Sequence, residues 1–176
     1  MTRNDPKHPQ ESPFWRFSLA LYARPGVAEA CVDLQDRHGV DVNVLLFLLW
    51  LAATGRRLSA GEVKAVDDRV DAWRAAAVVP LRALRRKLKG HASLGNDDTV
   101  EELRIRIKGI ELDAERLQQE HLYALATSTT LGIEDGSVRT AASDNLAAYQ
   151  SVLQQQFPPD LVATLLAAMP QKEPAT

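Results

Sequence analysis

The stretch "DRHGVDVNVLLFLLWLAATGRR", residues 36–57, decides the fold. Ten apolar residues run without a break from Val44 to Ala53, with Asp41 and Asn43 before them and Gly55, Arg56 and Arg57 after. The run falls well short of the roughly 20 residues needed to cross a bilayer, so no membrane insertion is expected. A helix that is apolar on every face needs neighbours on every face. The stretch therefore predicts a central helix over 42–54, capped by Asp41, ended by Gly55 and wrapped by the protein's own helices.

Working outward, residues 27–38 place Val27, Ala30, Cys31 and Leu34 on one helical stripe, closed by Gly39 in the left-handed conformation. Helix, glycine turn and helix together have the outline of a DNA-reading helix-turn-helix. The second helix, however, offers Val, Leu, Phe and Trp where base edges require polar and basic groups. Before it, Ser12-Pro13 reads as an N-cap with proline in the first turn, opening a helix to about Ala23 that Pro25-Gly26 ends.

After it, Ser59 and Glu62 form a capping-box pattern at the head of a long helix. Its seam runs Val63, Val66, Val70, Trp73, Ala77, Leu81, Leu84, Leu88, with Pro80 expected to kink it rather than stop it. The segment 90–98 reads as a loop, and a second seam follows: Val100, Leu103, Ile107, Ile110, Ala114, Leu117, His121, Ala124. Two such helices can zip as an antiparallel hairpin. Ser137 caps a further helix with the stripe Val138, Ala142, Leu146, Tyr149, Leu153, and Pro158-Pro159-Asp160 opens a last short one. Neither a strand pattern of useful length nor an internal repeat stands out. The expected fold is all-α, a single-domain bundle of six to seven helices over 12–169, with disordered segments at 1–11 and 170–176.

With 176 residues the chain can bury a substantial core, and 21 Lys and Arg against 23 Asp and Glu leave a net charge of −2. The whole-molecule field thus points to neither a polyanion nor an anionic membrane, and any such preference must be local. The lone Cys31 cannot form an internal disulfide, and the chain opens without a signal-peptide pattern, so a cytoplasmic location is expected.

Four features invite a chemical reading. In DDRVD, 67–71, Asp67 and Asp71 stand one turn apart and could share Mg²⁺ against a diphosphate, as in isoprenoid synthases, but they lie off the apolar seam where solvated charges belong. Arg82, Arg85, Arg86 and Lys89 gather near a helix end, an anion-binding candidate whose bland counterpart is simple compensation of the helix dipole. No aromatic residue is interleaved among them to stack on bases, so nucleic acid is possible but not favoured. Gln35, Asp36, Asp41 and Asn43 sit at the mouth of the apolar helix and either cap backbone or line a pocket. The four histidines have no metal-ligand spacing; His121 reads as a core histidine, and Cys31 and the tryptophans as core residues. No catalytic set and no cofactor fingerprint assembles.

The strings LQDRHGVDVNVLLF (34–47) and PLRALRRKLK (80–89), preceded by WRF and YARPGV over 15–27, resemble a family of short bacterial proteins of unknown function. The likeness covers about residues 14–90. It implies a bacterial origin and supplies no catalytic residues. The expected role is that of a non-enzymatic interaction or adaptor module, using helical surface for a protein partner or for self-association. The alternatives are a small enzyme or ligand-binding protein with a polar pocket or Mg-diphosphate site, and RNA or phosphate binding at the basic helix end.

Overall fold

The computed structural model describes residues 11–89 and 97–170; the lead-in over 1–10, the loop residues 90–96 and the tail from 171 lie outside the described residues. Within them the chain is all-α apart from one two-residue strand pair. Ser12 starts α1 (Pro13–Tyr22) by accepting the Trp15 N–H at 3.1 Å. Helix α2 (Val27–His38) closes at Gly39, whose φ of 67° is the left-handed geometry expected of that glycine. Then comes α3 (Val42–Ala53), the apolar run, with nine of its twelve residues buried.

Helix α3 is wrapped by α1, α2, α4 (Ala60–Trp73), α6 (Asp97–Ser128) and α7 (Val138–Leu153). Its aromatic side chains interlock with those of its neighbours: Phe47 meets Phe14 edge to face at 5.2 Å, and Trp50 lies 5.7 Å from Tyr123. Ser137 caps α7 as expected, and α8 (Pro159–Ala167) closes the far side against α2 and α7.

Two local features escape the sequence pattern. Strand β1 (Arg56–Arg57) pairs antiparallel with β2 (Ile133–Glu134), tying the chain after α3 to the chain after α6. The pairing requires glycine at 132: its φ is 69°, and a Cβ there would stand 2.6 Å from the Arg57 carbonyl oxygen. The second feature is a π-helical turn (Arg74–Val78) that joins α4 to α5 (Val79–Lys87). Pro80 carries no N–H for the carbonyl four residues back, and the ladder widens just ahead of it, the Val79 N–H reaching the Arg74 carbonyl.

The wide turn inserts one residue into the helical phase, and every later position slips round. Val78, not Ala77, is fully buried, while Arg82 and Arg85 turn toward α6 and Leu84 is left 46% exposed. Trp73, expected in the core, is 41% exposed. On α6 only three of the eight seam positions are buried. Val100, Ile107 and Ala114 are buried, whereas Leu103, Ile110 and Leu117 stand 46%, 53% and 59% exposed. His121 is exposed too, and Leu122 takes the core position instead.

One buried amide joins three segments. Asn145, wholly buried on α7, accepts the Leu58 N–H at 2.7 Å and donates to the carbonyls of Leu48 at 3.0 Å and Arg56 at 3.1 Å. Asn145→Ala leaves all three backbone groups without that partner and is expected to cost about 3 kcal/mol, read as a lowered urea midpoint with an unchanged slope.

Candidate binding cleft

The site grows from the cap of α3. Asp41 Oδ1 accepts the N–H groups of Asn43 at 2.8 Å and Val44 at 3.3 Å, which is the ordinary duty of an N-cap carboxylate. Its other oxygen accepts from Arg74 Nη1 at 3.0 Å and from Gln118 Nε2 at 2.7 Å. The Asp41 N–H in turn donates to the Tyr149 hydroxyl at 3.1 Å. A single residue thereby links α3, the π turn, α6 and α7.

Arg74 completes the junction by reaching Asp67 at 2.7 Å and Asp71 at 2.8 Å. Burial works against its charge, but the hydrogen bonds to those carboxylates and the nearby Asp41 outweigh it and raise its pKa above the ordinary arginine value. Burial, with the Asp67 and Asp41 charges, also raises the Tyr149 phenol. The guanidinium sits between the two aspartates that the sequence offered as Mg²⁺ ligands. Among the described residues no group of three His, Cys, Asp or Glu side chains is placed to hold a metal ion.

Next to this junction Asn43 accepts from Gln119 Nε2 at 2.8 Å, and the pair forms part of the floor of a cleft of about 530 Å³. Helices α1, α2, α5 and α6 wall it. Trp15, Leu19, Tyr22, Val32 and Leu112 give it an apolar side, while Arg82, Arg85, Arg86 and Lys108 line it with Glu111 and Glu115. Ser18 and Gln119, each 3% exposed, also line it, and the Ser18 hydroxyl and Gln119 Oε1 have no hydrogen-bond partner among the described residues.

The acids of the cleft are tied to its arginines. Glu111 accepts from Arg82 Nε at 3.1 Å and from both Arg85 Nε and Nη2, and Glu115 accepts from Arg82 Nη2 at 2.7 Å. Burial pushes Glu111 up, yet the Arg85 and Arg82 hydrogen bonds bring it below the usual glutamate value. Burial dominates at Glu115 and leaves it raised despite Arg82. At the rim Arg86 pairs with Asp36, whose pKa that hydrogen bond lowers. Lys108 has no ion-pair partner among the described residues.

Two candidate sets read separately from the sequence thus meet in one place: Gln35 and Asn43 from the polar cluster, and Arg82, Arg85 and Arg86 from the basic helix end. Asp36 stands at the rim through Arg86, and Asp41 lies beneath as cap and junction. Lys89 is exposed past the end of α5 and does not line the cleft, and Asp67 and Asp71 belong to the Arg74 cluster. Sequence reasoning missed Ser18, Lys108, Glu111, Glu115, Gln118 and Gln119. Glu111 and Glu115 do carry a signal: one turn apart, they could be matched against the arginines of the facing helix. Cys31 is buried, its thiol pushed up to about 12, and takes no part.

A family described as "Protein of unknown function (DUF2390)" matches residues 13–122, from the head of α1 through most of α6. No curated protein and no solved structure matches the chain.

The opposed shifts of Glu111 and Glu115 predict opposed pH behaviour. Glu111, lowered on folding, contributes stability above the ordinary glutamate range that is lost as pH falls through its depressed value. Glu115, raised on folding, favours the fold below that range and loses this contribution as pH rises through its elevated value. At neutral pH Glu111→Gln is expected to cost about 2 kcal/mol and Glu115→Gln clearly less, with the gap narrowing in acid, as measured by denaturant unfolding across pH.

Proposed function

The chain belongs to the DUF2390 family, whose description assigns no activity, and from that premise we propose that it is a non-enzymatic binding protein of the bacterial cytosol whose cleft takes a small amphipathic anion. The observation that carries this reading is the make-up of the cleft. An apolar side of Leu19, Tyr22, Val32 and Leu112 faces a polar one with four cations against two carboxylates. Its volume of about 530 Å³ falls in the range of small-molecule sites.

The ligand's acidic end goes to Lys108 and Arg86, and its apolar body lies along the α1–α2 wall. The unpartnered Ser18 hydroxyl and Gln119 carbonyl mark where a polar group of the ligand gains a hydrogen bond. The side chains suit binding better than proton chemistry, since Glu111, Glu115 and Asp36 already face guanidinium groups and the Cys31 thiol is neutral. The same pairing favours one compact acid over a phosphate backbone, because Arg82, Arg85 and Arg86 are each engaged by a carboxylate. A bacterial source follows the family likeness of the motifs, and a cytosolic one suits a chain with a single, buried, unpaired cysteine.

A second reading, a module for a protein partner or for self-association, is favoured by a separate observation: the half-exposed apolar residues of α5 and α6.

The cleft is tested by calorimetric titration with decanoate and with decanol, its uncharged counterpart. Decanoate is expected to bind saturably at one site, about tenfold more tightly than decanol, and Lys108→Glu to remove that preference. Leu19→Asp is expected to weaken both. Non-saturating heats, equal affinity for the two probes, or indifference to both substitutions would overturn the reading.

A further inference from the structure

We infer that the outer face of the α5–α6 arm is a homodimer interface, where two copies pair antiparallel about Ile110 and complete a four-helix bundle. This surface is separate from the cleft and does not depend on what the cleft binds.

The arm is half of a bundle. Val78, Val100, Ile107 and Ala114 fill the seam between its helices but stand apart from the main core cluster, so the arm carries its own small core. Its outer edge is a ladder of Leu103, Ile110 and Leu117, spaced by seven and each about half exposed, and Trp73, 41% exposed, is held to the same helix. The Trp73 indole N–H donates to the Ala114 carbonyl at 3.0 Å, which ties the ring to α6 at a residue that lies between Ile110 and Leu117. Leu103, Ile110, Leu117 and Trp73 are four large, half-exposed apolar side chains on one helix and its edge, on the order of the 300–600 Å² patch that already marks a functional surface on a monomer.

The sequence of α6 selects a second copy over another partner. A seven-residue apolar repeat is what an antiparallel helix pair buries, and a two-fold axis at Ile110 sets Leu103 against Leu117 of the second copy and Ile110 against itself. Flanking the ladder, Arg106 and Asp113 share one heptad position and are both exposed, with no ion-pair partner among the described residues. In the antiparallel register Arg106 of each copy meets Asp113 of the other, so the two-fold produces two opposite-charge contacts and no like-charge ones at that level.

The full-length chain is to be examined by sedimentation equilibrium over a wide concentration range, with circular dichroism of each variant as a check on folding. A monomer–dimer equilibrium is expected, abolished by Ile110→Glu and weakened about tenfold by either Arg106→Asp or Asp113→Arg, each of which places like charges together twice. The double variant R106D/D113R restores the dimer. So does mixing the two single variants, which pair only with each other. A wild-type chain that stays monomeric at every concentration overturns the inference and leaves the face to a different protein. A dimer indifferent to Ile110→Glu, or charge reversals that the double variant fails to rescue, overturns the interface or its register.

Discussion

The structure depends on the Asp41 carboxylate. One of its oxygens ends the open backbone of α3, and the other holds Arg74 of the π turn and Gln118 of α6, while its own N–H is held by Tyr149 of α7. A buried carboxylate is tolerated only when its lone pairs are met by donors, and here they come from three parts of the chain: the first turn of α3, the π turn and α6. The most apolar helix therefore enters the core at its most polar point. The cleft inherits its floor from the same place, since Asn43 lies two residues on and is held by the glutamine next to Gln118.

Much of this was legible in the sequence where the signal is local. The caps at Ser12, Asp41, Ser59 and Ser137, the glycine stop at Gly39 and the all-round burial of α3 follow from residue type and spacing alone. The hairpin seam was only half legible. A heptad pattern assumes that helical phase is conserved along the chain, and the π turn before Pro80 breaks that assumption by one residue. Leu84 accordingly faces out and Arg85 faces Glu111, a reversal that no count of threes and fours contains.

The site was legible in pieces and not as a whole. Asn43 and Arg82 are 39 positions apart in the sequence, and only the return of α6 along the hairpin brings both to one cleft. Gln118 and Gln119 gave no warning, because a glutamine on a long amphipathic helix reads as solvent-facing until the carboxylate or amide it serves is known. The arginines were noticed for their charge. Their folded neighbours decide how much of that charge is left to a ligand, and most of it is already answered by Glu111, Glu115 and Asp36.

The three tryptophans fall one to each part of the molecule: Trp15 in the cleft under the Arg116 guanidinium, Trp50 among the aromatic side chains of the centre, and Trp73 on the outer edge of the arm. Replacing any two with phenylalanine would leave a chain whose tryptophan emission, excited beyond the absorption of its three tyrosines, reports a single location. Emission from the cleft, the centre and the arm could then be followed separately, and occupancy, unfolding and assembly would become three distinguishable optical events in one protein.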